Sequence, residues 1–222
     1  MYTFILAESA LETVPKELWG DASIAAEAKR LKRKPGELLL DSSRHLAAMR
    51  KLKDWHKRGR PDIAHFCALL ALDSKLNQSG KLHLYVHTIN DRVVKFDPGV
   101  RIPRVYNRFC GLMQDLFRRK HIEYEGKTLL ELEDKTVGKL LKELPKKTLV
   151  IVLDASGEKT TLTKLSKKIK DKNVCFVLGG FPHGVFDSPE LKKLPKASIS
   201  DIELCAWTVL ADAIAACEVA DE

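Results

Sequence analysis

Apolar and polar positions follow two different periods along this chain, and the switches between them predict its elements. Residues 2–7, mostly apolar, read as a strand. Residues 23–32 take helical spacing until Pro35-Gly36 ends it. Residues 44–57 are predicted as a second helix with Leu46, Met49 and Leu52 on its core side. Gly59-Arg60-Pro61-Asp62 interrupts the pattern, and residues 63–72 resume it as a helix. From 81 to 88 the period drops to two, with Leu82, Leu84 and Val86 on the buried side, and residues 93–96 complete a hairpin. A helix follows from about Arg104 to Lys120, and the charged span 123–147 holds only a short helix at 137–144. Two apolar strands, 149–153 and 174–178, then flank a helix at 162–169. Strands alternating with helices predict an α/β fold built on a parallel sheet.

The last helix is predicted to start at a capping box, Ser200 with Glu203 three residues on. Ile202, Cys205, Val209 and Ile214 cover one side of it, and Leu204, Trp207 and Leu210 cover others. A helix apolar nearly all round is buried on several faces, within the fold or at a subunit interface.

At 222 residues and 45% hydrophobic content the chain suits one large domain with a packed core, and no run approaches a membrane span. The first residues lack a basic leader, so they read as a strand and not a signal peptide. Five cysteines without CxxC spacing sit among apolar neighbours, which predicts buried, reduced thiols in a cytosolic protein and no zinc site. The net charge of +8 is concentrated: five Lys/Arg against Asp54 between Lys51 and Arg60, and six against Asp115 between Arg101 and Lys120. Concentrated positive charge points to a polyanionic partner.

The candidate chemistry lies at three places. Gly179-Gly-Phe-Pro-His-Gly184 directly follows a strand, where ligands of open α/β sheets collect, and glycines allow positive φ and close backbone approach. On the helix after Pro103, Arg104, Arg108 and Arg119 oppose an apolar arc, with Gly111 between them; guanidinium forks in a row fit a phosphate backbone, and a solvated face is the alternative. Pro61 restricts Arg60 to extended backbone, and Asp62 either caps the next helix, holds the Arg60 guanidinium, or does both. His183 has no acid or base beside it in sequence, and His65 reads as a core histidine. GxGxxG, P-loop and HExxH patterns are absent.

Together, the segments 59–65, 101–113 and 179–184 resemble the small-subunit rRNA pseudouridine-N1 methyltransferases, a ribosome-biogenesis family of the SPOUT class. The likeness runs from about residue 40 to the end, and the compact N-terminus is similar to that of archaeal members. It implies one SPOUT-class domain over 1–222, with an elaboration around 20–110 carrying RNA-binding residues and a trefoil knot around 148–220. It further implies a cytoplasmic homodimer that binds S-adenosylmethionine, releases S-adenosylhomocysteine, needs no metal, and acts on small-subunit rRNA beside ribosomal proteins. By motif, the cofactor contacts fall on Leu153, Gly179, Gly184 and the stretch Ile199, Ser200, Asp201, Ile202, Glu203 and Leu204. The RNA contacts fall on Arg60, Arg101, Arg104 and Arg108, with Arg60 catalytic and Asp62 orienting it. A non-catalytic RNA-binding assembly factor is the alternative, and binding of S-adenosylmethionine separates the two.

Overall fold

The chain is described by a computed structural model covering residues 1–221. Its first strand, β1 (Tyr2–Ser9), is buried at every position and lies in the interior of the sheet. Strands with no polar face need cover on both sides, and the order of elements supplies it. After β1 come α1 (Ala22–Leu31), α2 (Ser42–Met49), α3 (Pro61–Asp73), α4 (Lys75–Gln78), β2 (Leu82–Thr88), β3 (Arg92–Phe96) and α5 (Tyr106–Arg119). Then follow β4 (His121–Tyr124), β5 (Lys127–Asp134), α6 (Val137–Lys142), β6 (Leu149–Lys159), α7 (Leu162–Ile169), β7 (Val174–Gly179), α8 (Pro189–Lys192), β8 (Lys196–Ser198) and α9 (Ala206–Ala220).

The eight strands form one mixed sheet in the order β4-β5-β3-β2-β1-β7-β6-β8. β2, β1, β7, β6 and β8 are parallel; β3, β5 and β4 continue the sheet antiparallel. β1 pairs Tyr2 with Val174 of β7 and with Leu82 of β2, so the central strand joins segments far apart in sequence. On one face, α3, α5, α7 and α9 cover the main core around Phe4, Phe176, Phe109 and Leu210. On the other, α6 and α8 cover Ile5, Val152 and Val177. A satellite core of Ile24, Ala28, Leu40, Met49 and Leu52 holds α1 and α2 beside the sheet.

Four sequence expectations need correction. The helix predicted over 44–57 stops at Met49; residues 55–57 form a 3₁₀ turn, and Leu46 faces solvent while Met49 and Leu52 are buried. The charged span 123–147 contains β5 and the end of β4. Leu130 and Leu132 alternate with glutamates there, so the period of two is present but overlaid by surface charge. β6 runs on past Asp154 to Lys159. The last helix begins at Ala206, not Ser200. The Ser200 hydroxyl accepts from the Ile202 amide in a local turn, and Ile202 and Cys205 are exposed. Residues 199–205 are irregular chain, so most of their backbone groups are not tied up in a ladder, though the Ser200 carbonyl accepts from Lys159 and Ser198 and the Cys205 carbonyl from the Thr208 and Val209 amides.

Candidate active site

The carboxyl end of β7 and residues 153–156 of β6 open into a cavity of about 480 Å³, walled by the glycine turn, by residues between 197 and 206 and by the first turns of α9. Arg60 and Ile63 from the start of α3 close one side. Leu153, Gly179, Gly184, Ile199, Ser200, Ile202, Glu203 and Leu204 all line it. Asp201 does not; its carboxylate points outward, 3.4 Å from Lys159 Nζ. Asp154, Ser156, Phe181, Val185, Cys205 and Trp207 line the cavity as well and are not among the predicted cofactor contacts. Asp154 is held ionised: burial pushes its pKa up, but bonds from the Ser156 hydroxyl and amide and the nearby Lys196 ammonium outweigh this and lower it.

The three glycines act for different reasons. Only Gly184 has positive φ, at 109°. Gly180 is needed for space: a Cβ there would overlap Ser9 Oγ and come within 2.8 Å of Ser9 Cβ and 2.9 Å of its Cα. At Gly179 a Cβ would meet the Phe181 ring at 2.9 Å. The turn is tied to the opposite wall through Ala10. The Ala10 amide donates to the Gly180 carbonyl at 2.9 Å, and the Ala10 carbonyl accepts from the Arg60 amide at 3.1 Å.

Arg60 and Asp62 form a two-pronged ion pair, Nε to Oδ1 at 2.8 Å and Nη2 to Oδ2 at 2.7 Å. Arg60 is the residue preceding the helix, Pro61 its first turn, and the Asp62 side chain makes no capping bond to a backbone amide. The expected cap is thus absent, and the carboxylate instead fixes the guanidinium and raises its pKa further.

Arg101, Arg104 and Arg108 do not line the cavity. They are exposed, and among the described residues none pairs with a carboxylate. Their helix is nonetheless anchored to the Arg60 side: His65 of α3 stacks on Phe109 at 4.3 Å and bonds the Pro103 carbonyl at 2.7 Å, as a core histidine should. Tyr106 donates to Asp41 at the start of α2 at 2.7 Å. The charge cluster at 51–60 is largely consumed internally. Arg58 grips Glu12 with two bonds, Lys51 reaches Asp21, and Lys57 is buried.

Lys57 belongs to a buried cluster that the sequence reading missed. Its Nζ donates to Glu8 Oε2, the Val185 carbonyl and Asp187 Oδ2, each at 2.7 Å, and lies 4.3 Å from the Phe181 ring centre. Glu8 has φ 51° and also accepts from the Asp187 and Ser188 amides and the Ser188 hydroxyl. Burial alone would push the Glu8 pKa up; these donors outweigh it and lower it. The available signal was a glutamate placed directly after the apolar run of residues 4–7. Of the cysteines, Cys67, Cys110, Cys175 and Cys217 are buried as expected, and Cys205 is exposed at the cavity. Burial pushes the Cys175 thiol up to about 12.

Comparison with known proteins adds three findings. The sequence model of a family described as EMG1/NEP1 methyltransferase matches residues 4–218. Proteins named ribosomal RNA small subunit methyltransferase Nep1 are similar over nearly their whole length. The one from Pyrococcus furiosus is 42% identical over 96% of this chain and 95% of its own, and the one from Thermococcus onnurineus is 43% identical over 96% of each. The crystal structure of Archaeoglobus fulgidus Nep1 bound to S-adenosylhomocysteine superimposes with a TM-score of 0.88 at 32% identity, covering 99% of this chain and 98% of that one.

Proposed function

The chain belongs to the EMG1/NEP1 methyltransferase family, and we propose that it methylates N1 of a pseudouridine in small-subunit rRNA with S-adenosylmethionine as donor. The observation that carries this reading is the convergence of a fixed guanidinium, Arg60, on a strand-end cavity framed by glycines and irregular backbone. The cavity volume lies in the range of small-molecule sites, roughly 300–1,000 Å³. Its chemistry fits the cofactor: Leu153 offers apolar surface, Gly179, residues 181–184, Ile199 and residues 202–204 offer backbone, and Asp154 and Glu203 offer carboxylates for hydroxyls and an ammonium. When bound, S-adenosylmethionine supplies an electrophilic methyl group.

Pseudouridine is joined to its ribose through carbon, so N1 carries a proton and is open to alkylation. That proton leaves to water as the N1–methyl bond forms. Arg60 balances the negative charge gathering on the uracil ring, and its bond to Asp62 removes the cost of orienting it during the reaction. Arg101, Arg104 and Arg108 hold the phosphates of a structured loop, from which the base is splayed into the cavity.

The strand order β7-β6-β8, with residues 199–205 lying across the ends of these strands, supports a SPOUT-class trefoil knot around 148–220. Residues 20–110 then form an elaboration of the single domain that presents Arg60, Arg101, Arg104 and Arg108. Exposed Phe66, packed at a tilt against Trp207 beside the cavity, supports a homodimer, and the buried free thiols suit a reducing cytoplasm. The deciding experiment is mass spectrometry of paired RNA hairpins, one with pseudouridine and one with uridine, after incubation with protein and S-adenosylmethionine. A mass gain of one methyl on pseudouridine alone is expected. Binding of RNA with no gain and no affinity for the cofactor would make this a non-catalytic assembly factor.

A further inference from the structure

Lys57 lies three residues before Arg60 in sequence, yet its ammonium reaches into the opposite wall of the cavity. It holds the Val185 carbonyl and the Asp187 carboxylate, and it sits over Phe181; Phe181 and Val185 both face the cavity. Its third bond goes to Glu8, whose carboxylate also takes the Asp187 and Ser188 amides. Among the described residues beyond its own chain neighbours, only the Lys57 stem lies within 4 Å of where a Cβ on Gly184 would lie. The side chain is only 5% exposed. A buried ion pair is a weak source of stability, since apolar residues of similar volume often replace one without loss. What this arrangement supplies is a link between two segments with separate tasks.

Resting on the functional reading above, we infer that Lys57 is a positioning residue that couples the cavity wall at 181–187 to Arg60, making cofactor binding and RNA binding cooperative. A ligand that orders residues 181–187 orders Lys57, and Lys57 passes that order through Gly59 to Arg60. The second path, Gly180 to Ala10 to Arg60, is backbone only and stays in place when Lys57 is replaced.

The test measures RNA hairpin affinity with and without S-adenosylhomocysteine, in the full chain and in Lys57→Met. In the unmodified protein the cofactor product should tighten RNA binding about fivefold or more, and in Lys57→Met the ratio should fall below about twofold, the backbone path through Ala10 keeping the remainder. The single-turnover methylation rate at saturating RNA and cofactor should fall roughly tenfold or more. Backbone hydrogen exchange should rise at 57–60 and 181–188 together. Unchanged coupling and rate in a folded Lys57→Met, or faster exchange in one segment alone, would overturn the inference. Should Lys57→Met not fold, Asp187→Asn weakens the same link from its exposed side and should lower the coupling about two- to threefold; unchanged coupling there overturns it equally. If the unmodified protein neither binds S-adenosylhomocysteine nor methylates RNA, the functional reading fails, while hydrogen exchange still decides whether Lys57 joins the two segments.

Discussion

Gly180→Ala isolates the packing of the glycine turn from its backbone freedom. Gly180 does not have positive φ, so an added methyl meets only steric resistance. That resistance comes from Ser9, which is fully buried and bonded through Oγ to the Leu6 carbonyl at 3.0 Å. Neither side can withdraw easily: the Gly180 amide donates to Ala7 and its carbonyl accepts from Ala10, each at 2.9 Å. Overpacking typically costs about 1–3 kcal/mol, and with the backbone pinned on both sides we place this change near the upper end. For a domain of this size each kcal/mol lowers Tm by roughly 2–4 °C, so a loss of about 4–12 °C is expected by calorimetry. The turn must also shift outward, carrying Gly179 and Phe181, and S-adenosylhomocysteine affinity should drop with it. Ser9→Gly removes two of the three clashing atoms. The double variant should therefore recover at least about 1 kcal/mol relative to the sum of the single changes. A Gly180→Ala protein with unaltered Tm and affinity, or strict additivity with Ser9→Gly, would refute this account of the turn. Gly184→Ala is the contrast, since its Cβ would touch only Lys57 Cδ at 3.8 Å and its cost is backbone strain at φ 109°.

Three further outcomes are expected. Arg60→Ala should lower single-turnover methyl transfer by about 10²–10³-fold, far more than it lowers RNA affinity, and Arg60→Lys should recover little because it lacks the fork; equal losses in rate and affinity would confine Arg60 to docking. Arg104→Ala with Arg108→Ala should weaken hairpin binding and reduce the salt slope by about 1.4–1.8 for two phosphate contacts, and an intact slope in a salt titration would leave the row a solvated face. The folded-state pKa of Glu8 lies below its usual 4.5, so its contribution to stability is complete above that pH and is lost as pH falls through the depressed value. Urea midpoints should therefore fall less steeply below about pH 4.5 in Glu8→Gln than in the parent, and parallel curves would contradict that role.

The parallel core was legible because strands covered on both faces have no polar alternation to confuse: residues 2–7, 149–153 and 174–178 read directly as strands. β5 was not, because its outer positions carry glutamates and its inner leucines are few. The last helix misled because apolar residues at 199–205 continue its pattern while serving as cavity wall. The pairing of Arg60 with Asp62 was legible, being local and constrained by Pro61. The Lys57–Glu8 cluster was not, since its members meet only after the sheet has formed, and a lysine within a basic run looks like surface. The same reasoning explains why that run overstated the charge available to a polyanion.

The position of β1 bears on how the chain matures during synthesis. β1 lies inside the sheet, and its partner β7 is made some 170 residues later by the register of Tyr2 with Val174. At about 5–20 residues per second, β1 waits on the order of ten seconds with one edge unpaired. Every lining residue of the cavity apart from Arg60 and Ile63 lies at or beyond Leu153, so on the proposed function nascent chains cannot gain stability from the cofactor until residues 153–209 have been made. On that reading the methyl donor is a ligand only of chains in which β6, β7 and α9 have been made, and cellular depletion of it should destabilise released protein without altering the yield of shorter ribosome-bound intermediates.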